Sequence, residues 1–140
     1  CIILIGDIDE LEKFSIILSE KQKITIKEYW LFDFAQDIRF EPVSIVLDCI
    51  DDSFAYLHRG TKTLAFRLPI QTSLQNLLKK TGPLIAPSAN LEGLPPAQNI
   101  KEAKKYFSDL VVLYVDGGEI KGKASKVIKL HKDGFVEILR

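Results

Sequence analysis

The sequence predicts an α/β fold: an open, twisted, mixed sheet, mostly antiparallel, with flanking helices, in a single domain over residues 1–140. Three observations lead to this prediction. Short runs of β-branched residues recur with turn residues close between them, a spacing typical of antiparallel strands. Three other segments carry apolar residues at helical spacing. No repeat, linker or low-complexity tract divides the chain.

The first predicted elements are a strand at Ile2–Ile5 and an amphipathic helix over residues 8–19. Asp7 and Glu10 have the spacing of a capping box, and the residues after them place an apolar side chain every three or four positions. The pattern then changes: residues 24–26 alternate between apolar and polar side chains, as a strand does.

An aromatic cluster follows, interleaved with charged residues. Aromatic rings near Lys27 and Arg39 are able to stack on bases. Packing in the core is the better interpretation, because aromatic side chains carry much of a protein's buried area and acidic neighbours oppose a nucleic-acid surface. The cluster consists of Tyr29, Trp30, Phe32 and Phe34.

Three strands are predicted in the middle of the chain: a strongly β-branched run at residues 42–50, a candidate partner at 54–57 and a third strand at 63–68. A short helix over residues 72–80 has Thr72 or Ser73 as its cap and a glycine as its end. A further helix is predicted over residues 97–107. The last part of the chain predicts a strand at residues 110–115, a turn at 116–118, a small-residue loop at 121–125 and a terminal hairpin at 127–139.

The segment Gly82–Pro96 joins these two helices and is dense in Gly and Pro. Pro83–Ala86 is predicted to be a buried strand, so Ser88 and Asn90 follow its carboxyl end, where open α/β sheets bind ligands. Pro96 suits the first turn of the helix predicted to follow, which has no use for its missing N–H. The alternative is that Ser88 and Asn90 are turn formers that hydrogen-bond their own backbone.

The composition excludes several classes of function. Lys plus Arg and Asp plus Glu number 19 each, so the formal charge is zero and gross attraction to nucleic acid is weak. The two cysteines and two histidines show no metal-ligand spacing, so no metal site is predicted. The apolar runs are too short to cross a membrane and no signal peptide is visible, which predicts a cytoplasmic protein.

Polar residues stand at the ends of strands in three places. Arg67 ends an apolar strand and offers a planar fork for phosphate or carboxylate; the alternative is an edge-strand arginine in solvent. Residues 88–90 form the second place. Ser125, beside Gly122 and two lysines, is suited to phosphate through its hydroxyl and backbone N–H groups, or belongs to a flexible basic turn.

Several motifs in this order resemble the YrdC-like family, the threonylcarbamoyl-AMP synthases. The family's signature loop has the form T/P-S-A-N-x-S-G-x-P, and Pro87-Ser88-Ala89-Asn90 with Gly93 and Pro95 is similar. Glu92 stands where the second serine is usual. Two strands before the loop, a D-G-G turn and a G-x-x-S-T-V segment also have similar counterparts, which are residues 41–47, 60–69, 116–118 and 122–128.

The resemblance implies an enzyme, an L-threonylcarbamoyladenylate synthase acting as a nucleotidyltransferase. Such an enzyme forms threonylcarbamoyl-AMP and pyrophosphate from L-threonine, bicarbonate and ATP, and Mg²⁺ accompanies the ATP. The product serves tRNA modification next to the anticodon, with other tRNA threonylcarbamoylation proteins as partners. Charged substrates of this kind need a cationic, hydrogen-bonding hollow and no side-chain nucleophile. The implied binding residues are Arg67, Pro87, Ser88, Ala89, Asn90 and Ser125.

Two departures from the family pattern bear on activity. Lys126 and Lys129 replace the usual Thr and Asp after Ser125. The family's basic K-x-R segment lies upstream of the region that matches Cys1. We therefore expect the chain to lack the family's N-terminal segment and to be catalytically weak alone.

Two alternatives stay open. One is a non-catalytic domain of the same fold that binds double-stranded RNA or tRNA, although the neutral charge argues against it. Its basic concavity would be built from Lys79, Lys80, Lys101, Lys121 and Lys123. The other is a carbamoyl-adenylate domain like that of hydrogenase maturation proteins, which the short chain, without zinc-finger or acylphosphatase segments, disfavours.

Overall fold

The computed structural model of the chain describes residues 1–32, 42–120, 122 and 124–140. The chain divides into two compact units. The first comprises Cys1–Ala86 and Ala124–Arg140, and the second comprises Pro87–Lys123. The first unit contains the sheet and the hydrophobic core.

The described residues of the first unit form a six-stranded open sheet of mixed direction, which confirms the predicted fold class. Its strands are β1 (Ile2–Leu4), β2 (Val43–Asp48), β3 (Thr63–Arg67), β4 (Leu84–Ala86), β5 (Lys126–Leu130) and β6 (Val136–Ile138). Their spatial order is β4-β1-β3-β2-β5-β6. β1 lies parallel to β3 and β2 lies parallel to β5, while the other neighbouring strands are antiparallel.

The two faces of this sheet differ because successive side chains on a strand point to opposite sides. One face carries the core. Its central side chains are Val43, Ile45, Leu47, Leu64, Phe66, Ile128 and Leu130, all buried. The opposite face carries Ser44, Ala65 and Arg67 at intervening positions of β2 and β3, together with apolar residues such as Val46.

Helical segments supply the rest of the core. They are a 3₁₀ helix (Ile8–Phe14), α1 (Glu20–Lys27) with a π-helical turn (Glu28–Phe32), a 3₁₀ turn (Asp52–Phe54), α2 (Ala55–His58) and α3 (Thr72–Thr81). Leu11, Phe14, Ile26 and Trp30 pack with the buried face of the sheet. Trp30 Nε1–H donates to the Val43 carbonyl at 3.1 Å, so its polar atom is satisfied inside the core. Core packing is thus confirmed for Trp30, whereas the Phe32 side chain and Phe34 lie outside the described residues.

The helix predicted over residues 8–19 is wrong in length and type. The 3₁₀ helix ends at Phe14, and its C-cap Ser15 has a left-handed φ of 57°. The predicted cap is confirmed only in part: Asp7 is the N-cap, but its side chain accepts from the Asp9 N–H, and the Glu10 carboxylate accepts from the Gly6 N–H. These side chains therefore bind backbone N–H groups at the start of the 3₁₀ helix, and they do not lead to a longer α-helix.

The strand predicted around Ile24 and Ile26 is helix α1. Ser19 and Gln22 form a reciprocal capping box at its start, a signal that the sequence analysis missed. Ile26 is fully buried whereas Ile24 is 62% exposed. An alternation of only two apolar residues does not discriminate between a strand and a helix.

Other predicted elements of the first unit are confirmed or corrected. β2, β3 and the β5–β6 hairpin are confirmed, as is α3, which ends at Gly82. The strand predicted at residues 54–57 is mostly α2. The strand at residues 83–86 exists as β4 but is not buried, because it lies at the edge of the sheet and Ile85 is 54% exposed. The N-cap of α3 is Gln71, without a side-chain bond, and neither Thr72 nor Ser73.

The second unit contains α4 (Ile100–Phe107) and a 3₁₀ turn (Ser108–Leu110). The predicted helix is present, but it starts at residue 100, with Asn99 as its cap, and not after Pro96. Residues 110–115, predicted to be a strand, form no strand and are mostly exposed. No described residue of this unit is buried. Among the residues that the structure describes, no helix has the length and apolarity required to cross a membrane.

Candidate functional site

Three strands bring one polar residue each to the same end of the sheet. Arg67 is the last residue of β3, Ser44 lies near the start of β2, and Ser125 immediately precedes β5. β2 runs antiparallel to β3 and parallel to β5, so these positions coincide. We call these three residues the arginine–serine cluster.

Hydrogen bonds join the members of the arginine–serine cluster directly. Arg67 Nε–H donates to Ser44 Oγ at 3.3 Å, and Arg67 Nη2–H donates to Ser125 Oγ at 2.9 Å. The two hydroxyls share a further hydrogen bond of 3.1 Å. Both serines are buried, and the guanidinium is half-buried. The arginine is therefore held in one orientation, with the remaining N–H groups of its fork available to a ligand.

A second arginine adds to the positive charge of this site. Arg140 Nη2–H donates to the Ser125 carbonyl at 3.3 Å. Burial, followed by the positive charge of Arg140, lowers the pKa of Arg67. None of the ion pairs formed between described residues involves either arginine. Two guanidinium groups near buried hydroxyls suit a carboxylate or a phosphate, which accepts charge-assisted hydrogen bonds.

The predicted loop, Pro87 to Asn90, belongs to the second unit. The Asn90 N–H donates to the Ser88 carbonyl at 2.9 Å, and the Ala97 N–H donates to the Ala89 carbonyl at 2.8 Å. Gly93, with a φ of 80°, adopts a backbone conformation that glycine tolerates best. The loop is therefore a set of tight turns, as its composition predicts.

Asn90 has one unusual feature within that loop. Its Nδ2–H donates to the Leu91 carbonyl at 3.0 Å, but its Oδ1 is buried and has no hydrogen-bond partner among the described residues. A buried acceptor without a donor costs free energy unless a ligand or water supplies one. Asn90 is thus suited to accept a hydrogen bond from a bound molecule.

The predicted site residues are partly brought together by the fold. Arg67 and Ser125 are in direct contact, and their role in binding a ligand stays a prediction. Pro87, Ser88, Ala89 and Asn90 are described within the second unit, and their participation in the same site stays a prediction. Lys121 and Lys123 lie outside the described residues. Ser44 and Arg140 are not among the predicted site residues, although the fold places both against Ser125.

The two lysines that depart from the family segment have partners in the first unit. Lys126 Nζ lies 6.0 Å from the centre of the Tyr29 ring, a cation–π distance. Lys129 Nζ lies 3.7 Å from Asp48 Oδ1 on the neighbouring strand. The described part of the chain thus gives both replacements a structural role.

No set of three or more metal-binding side chains is assembled among the described residues. The chemistry of the arginine–serine cluster is that of an anion site: positive charge and hydroxyl donors without a nucleophile–base pair. Such a site positions charged substrates and stabilises negative charge.

Comparison with known proteins gives the family. The profile of the Sua5/YciO/YrdC family, described as "Telomere recombination", matches residues 1–140. The chain belongs to this family. Among curated relatives, the threonylcarbamoyl-AMP synthase of Bacillus subtilis is 29% identical over 84% of this chain and 32% of its own length. That of Pyrococcus abyssi is 27% identical over 92% of this chain and 36% of its own length.

Solved structures agree with this assignment. A crystal structure of Pyrococcus abyssi Sua5 in complex with L-threonine has a TM-score of 0.76 and is 25% identical, covering 99% of this chain and 38% of that one. A doubly substituted form of the same protein has a TM-score of 0.78 at 24% identity, over the same shares of the two chains. The present chain therefore spans about a third of the length of these relatives.

Proposed function

We propose that the chain is the substrate-binding domain of an L-threonylcarbamoyladenylate synthase. It would form threonylcarbamoyl-AMP and pyrophosphate from L-threonine, bicarbonate and ATP, and the product would serve tRNA modification next to the anticodon. The arginine–serine cluster is the observation that carries this proposal, because it holds a guanidinium between two hydroxyl groups at one end of the sheet, as an anion site requires. Relatives named for this activity support it.

The proposed chemistry depends on positioning. The threonine carboxylate, the carbamate and the triphosphate are all anions, so their close approach requires cations that do not move. Arg67, fixed by two serine hydroxyls, is such a cation, and Arg140 adds positive charge next to Ser125. Asn90 Oδ1 is an acceptor suited to an ammonium or amino group of a substrate.

Mg²⁺ would enter with ATP and be held mainly by its phosphates, since this ion usually keeps several waters and needs few protein ligands. The metal reduces the repulsion between the phosphates when it is bound. The chain's own residues would bind and orient the anionic groups. The further partners in this proposal are tRNA and other tRNA threonylcarbamoylation proteins in the cytoplasm.

Pyrophosphate release by the purified protein tests the proposal. We expect release from ATP that requires both L-threonine and bicarbonate. Arg67→Ala should lower this rate and the affinity for ATP or threonine by at least about 10-fold, because it removes a charge-assisted donor. The melting temperature should change little, since the two serine hydroxyls still bond each other.

Arg59→Gly is the matched control. Arg59 is exposed and has a φ of 48°, so glycine removes a guanidinium at a position that it tolerates well. The rate should stay near that of the unsubstituted protein. A large loss of stability in Arg67→Ala with unchanged ligand affinity would contradict the proposal. RNA binding with a steep salt dependence and no ATP turnover would favour the RNA-binding alternative instead.

A further inference from the structure

A cleft of about 600 Å³ lies within the first unit, and none of the residues of the arginine–serine cluster lines it. The 3₁₀ helix, α1, α3 and the segment of residues 16–18 contribute its lining. Leu11 and Ile16 are buried beside it, and Leu68 completes an apolar floor. The cleft therefore offers apolar surface to an occupant other than the proposed substrates.

Charges of opposite sign come to the cleft from different elements. The 3₁₀ helix contributes Asp9 and Glu12, whereas α1 contributes Lys23 and Lys27. The pKa of Lys23 is raised, first by its hydrogen bond to Glu20 and by the negative charge of Glu20, and further by the negative charge of Glu12. The acidic and basic elements are thus near enough to interact. An occupant must match both signs, which argues against a simple anion or cation.

Exposed apolar side chains border the same cleft. Ile17 is 84% exposed although it lies between the 3₁₀ helix and α1, and Leu31 is also exposed. The exposed Ile17 side chain lies next to an apolar depression that is large enough to receive such a side chain. Both halves of a packing contact are therefore present on one surface.

We infer that this surface pairs with a second copy of the chain about a two-fold axis. In an isologous contact each patch meets its own copy. When the axis runs along the cleft, the acidic 3₁₀ helix of one copy faces the basic α1 of the other, and each Ile17 meets the opposite floor. The net charge of zero adds no long-range repulsion between copies.

Sedimentation equilibrium of the full chain over a range of concentrations tests this pairing. We expect a reversible dimer. Glu12→Lys or Lys27→Glu alone should raise the dimer dissociation constant by about 5-fold or more, because like charges then face each other. The double variant Glu12→Lys/Lys27→Glu exchanges the signs and should return the constant to within about 2-fold of the original.

Ile17→Asp should abolish the dimer, and it needs no rearrangement of the core because the side chain is exposed. Val112→Asp is the matched control, since Val112 is a fully exposed apolar residue of the second unit and should leave the dimer intact. A monomer at all concentrations overturns the inference. Association that ignores the charge exchange, or that Val112→Asp weakens equally, also overturns it. None of these outcomes bears on pyrophosphate release, so the two proposals fail separately.

Discussion

Ser125 shows how one buried side chain connects the charged residues of the candidate site. Its hydroxyl accepts from Arg67 and bonds Ser44, while its carbonyl accepts from Arg140. A buried hydroxyl that lacks a partner is costly, so these contacts satisfy it and at the same time fix the guanidinium. The serine thus acts on the ligand mainly through the arginine that it orients.

Asp51 is a second residue with several hydrogen-bond donors, in the turn after β2. The Ser15 hydroxyl, followed by the hydroxyl and N–H of Ser53, lowers the pKa of Asp51 from 3.8 to about 2. Between these values the unfolded chain binds a proton that the folded chain does not. The ionised carboxylate therefore stabilises the fold above pH 3.8, and this contribution is lost as the pH falls through about 2.

Urea unfolding of the unsubstituted protein and of Asp51→Asn, from about pH 5 to about pH 2, measures this contribution. The unsubstituted protein should be the more stable at pH 5, and the gap should close towards pH 2. Ser15→Ala removes the strongest hydrogen-bond donor to Asp51. The difference in unfolding free energy between Ser15→Ala and Asp51→Asn should therefore be smaller, and it should vanish at a higher pH. A gap that is independent of pH would contradict the role assigned to the Asp51 carboxylate.

At the scale of elements, the chain is most predictable where pattern and packing agree. β2 contains three β-branched residues and β3 alternates buried and partly buried side chains, and the sequence predicts both strands. Residues 110–115 have a similar composition but form no strand, because composition does not decide whether a backbone finds a ladder to join. Ile24 and Ile26 fail for another reason: α1 is fixed by its capping box, not by its apolar pattern.

That capping box makes the start of α1 a point where one side chain has a measurable effect. Ser19 Oγ accepts from the Gln22 N–H at 3.1 Å and donates to the Lys132 carbonyl in the β5–β6 turn at 2.7 Å. Ser19→Ala removes both bonds, and we expect it to lower the free energy of unfolding by about 1–2 kcal/mol. Chemical denaturation measures this change.

Ile24→Ala is the control on the same helix. Its side chain is mostly exposed and alanine is a good helix former, so the free energy of unfolding should change by no more than about 0.5 kcal/mol. Equal effects of the two substitutions would mean that the cap contributes nothing beyond its helical position. The larger effect of Ser19→Ala would show that α1 is held by its cap and by the hairpin.

In the whole molecule, the topology of the sheet determines which distant residues come into contact, and the sequence does not specify this. Arg67 and Ser125 stand 58 positions apart, and their contact follows from the parallel pairing of β5 with β2. The motifs select both residues, but the register of the strands is needed to place them within hydrogen-bond distance. Ser44 and Arg140 were missed because a serine inside an apolar strand and a terminal arginine are unremarkable without that register.

The loop from Pro87 to Asn90 lies in the second unit, and hydrogen exchange can show whether it binds substrate. No described residue of the second unit is buried, so local hydrogen bonds alone protect its amides from exchange. We expect the amides of Asn90 and Ala97 to exchange at least about 100-fold faster than those of β2 and β3. If the loop binds substrate, ATP with L-threonine should slow these two amides by about 10-fold or more, because a ligand on the Asn90 side chain holds the turns closed.

Hydrogen exchange read by NMR distinguishes this effect from general stabilisation. The amide of Ala103, inside α4 and bonded to the Asn99 carbonyl, is the internal control and should change little. Equal slowing of Ala103 and Asn90 would indicate that the ligand orders the second unit as a whole. If the amides around Arg67 slow while those of residues 88–97 do not, the ligand is held by the arginine–serine cluster alone. In that case the signature loop is a structural turn, and its asparagine accepts its missing hydrogen bond from water.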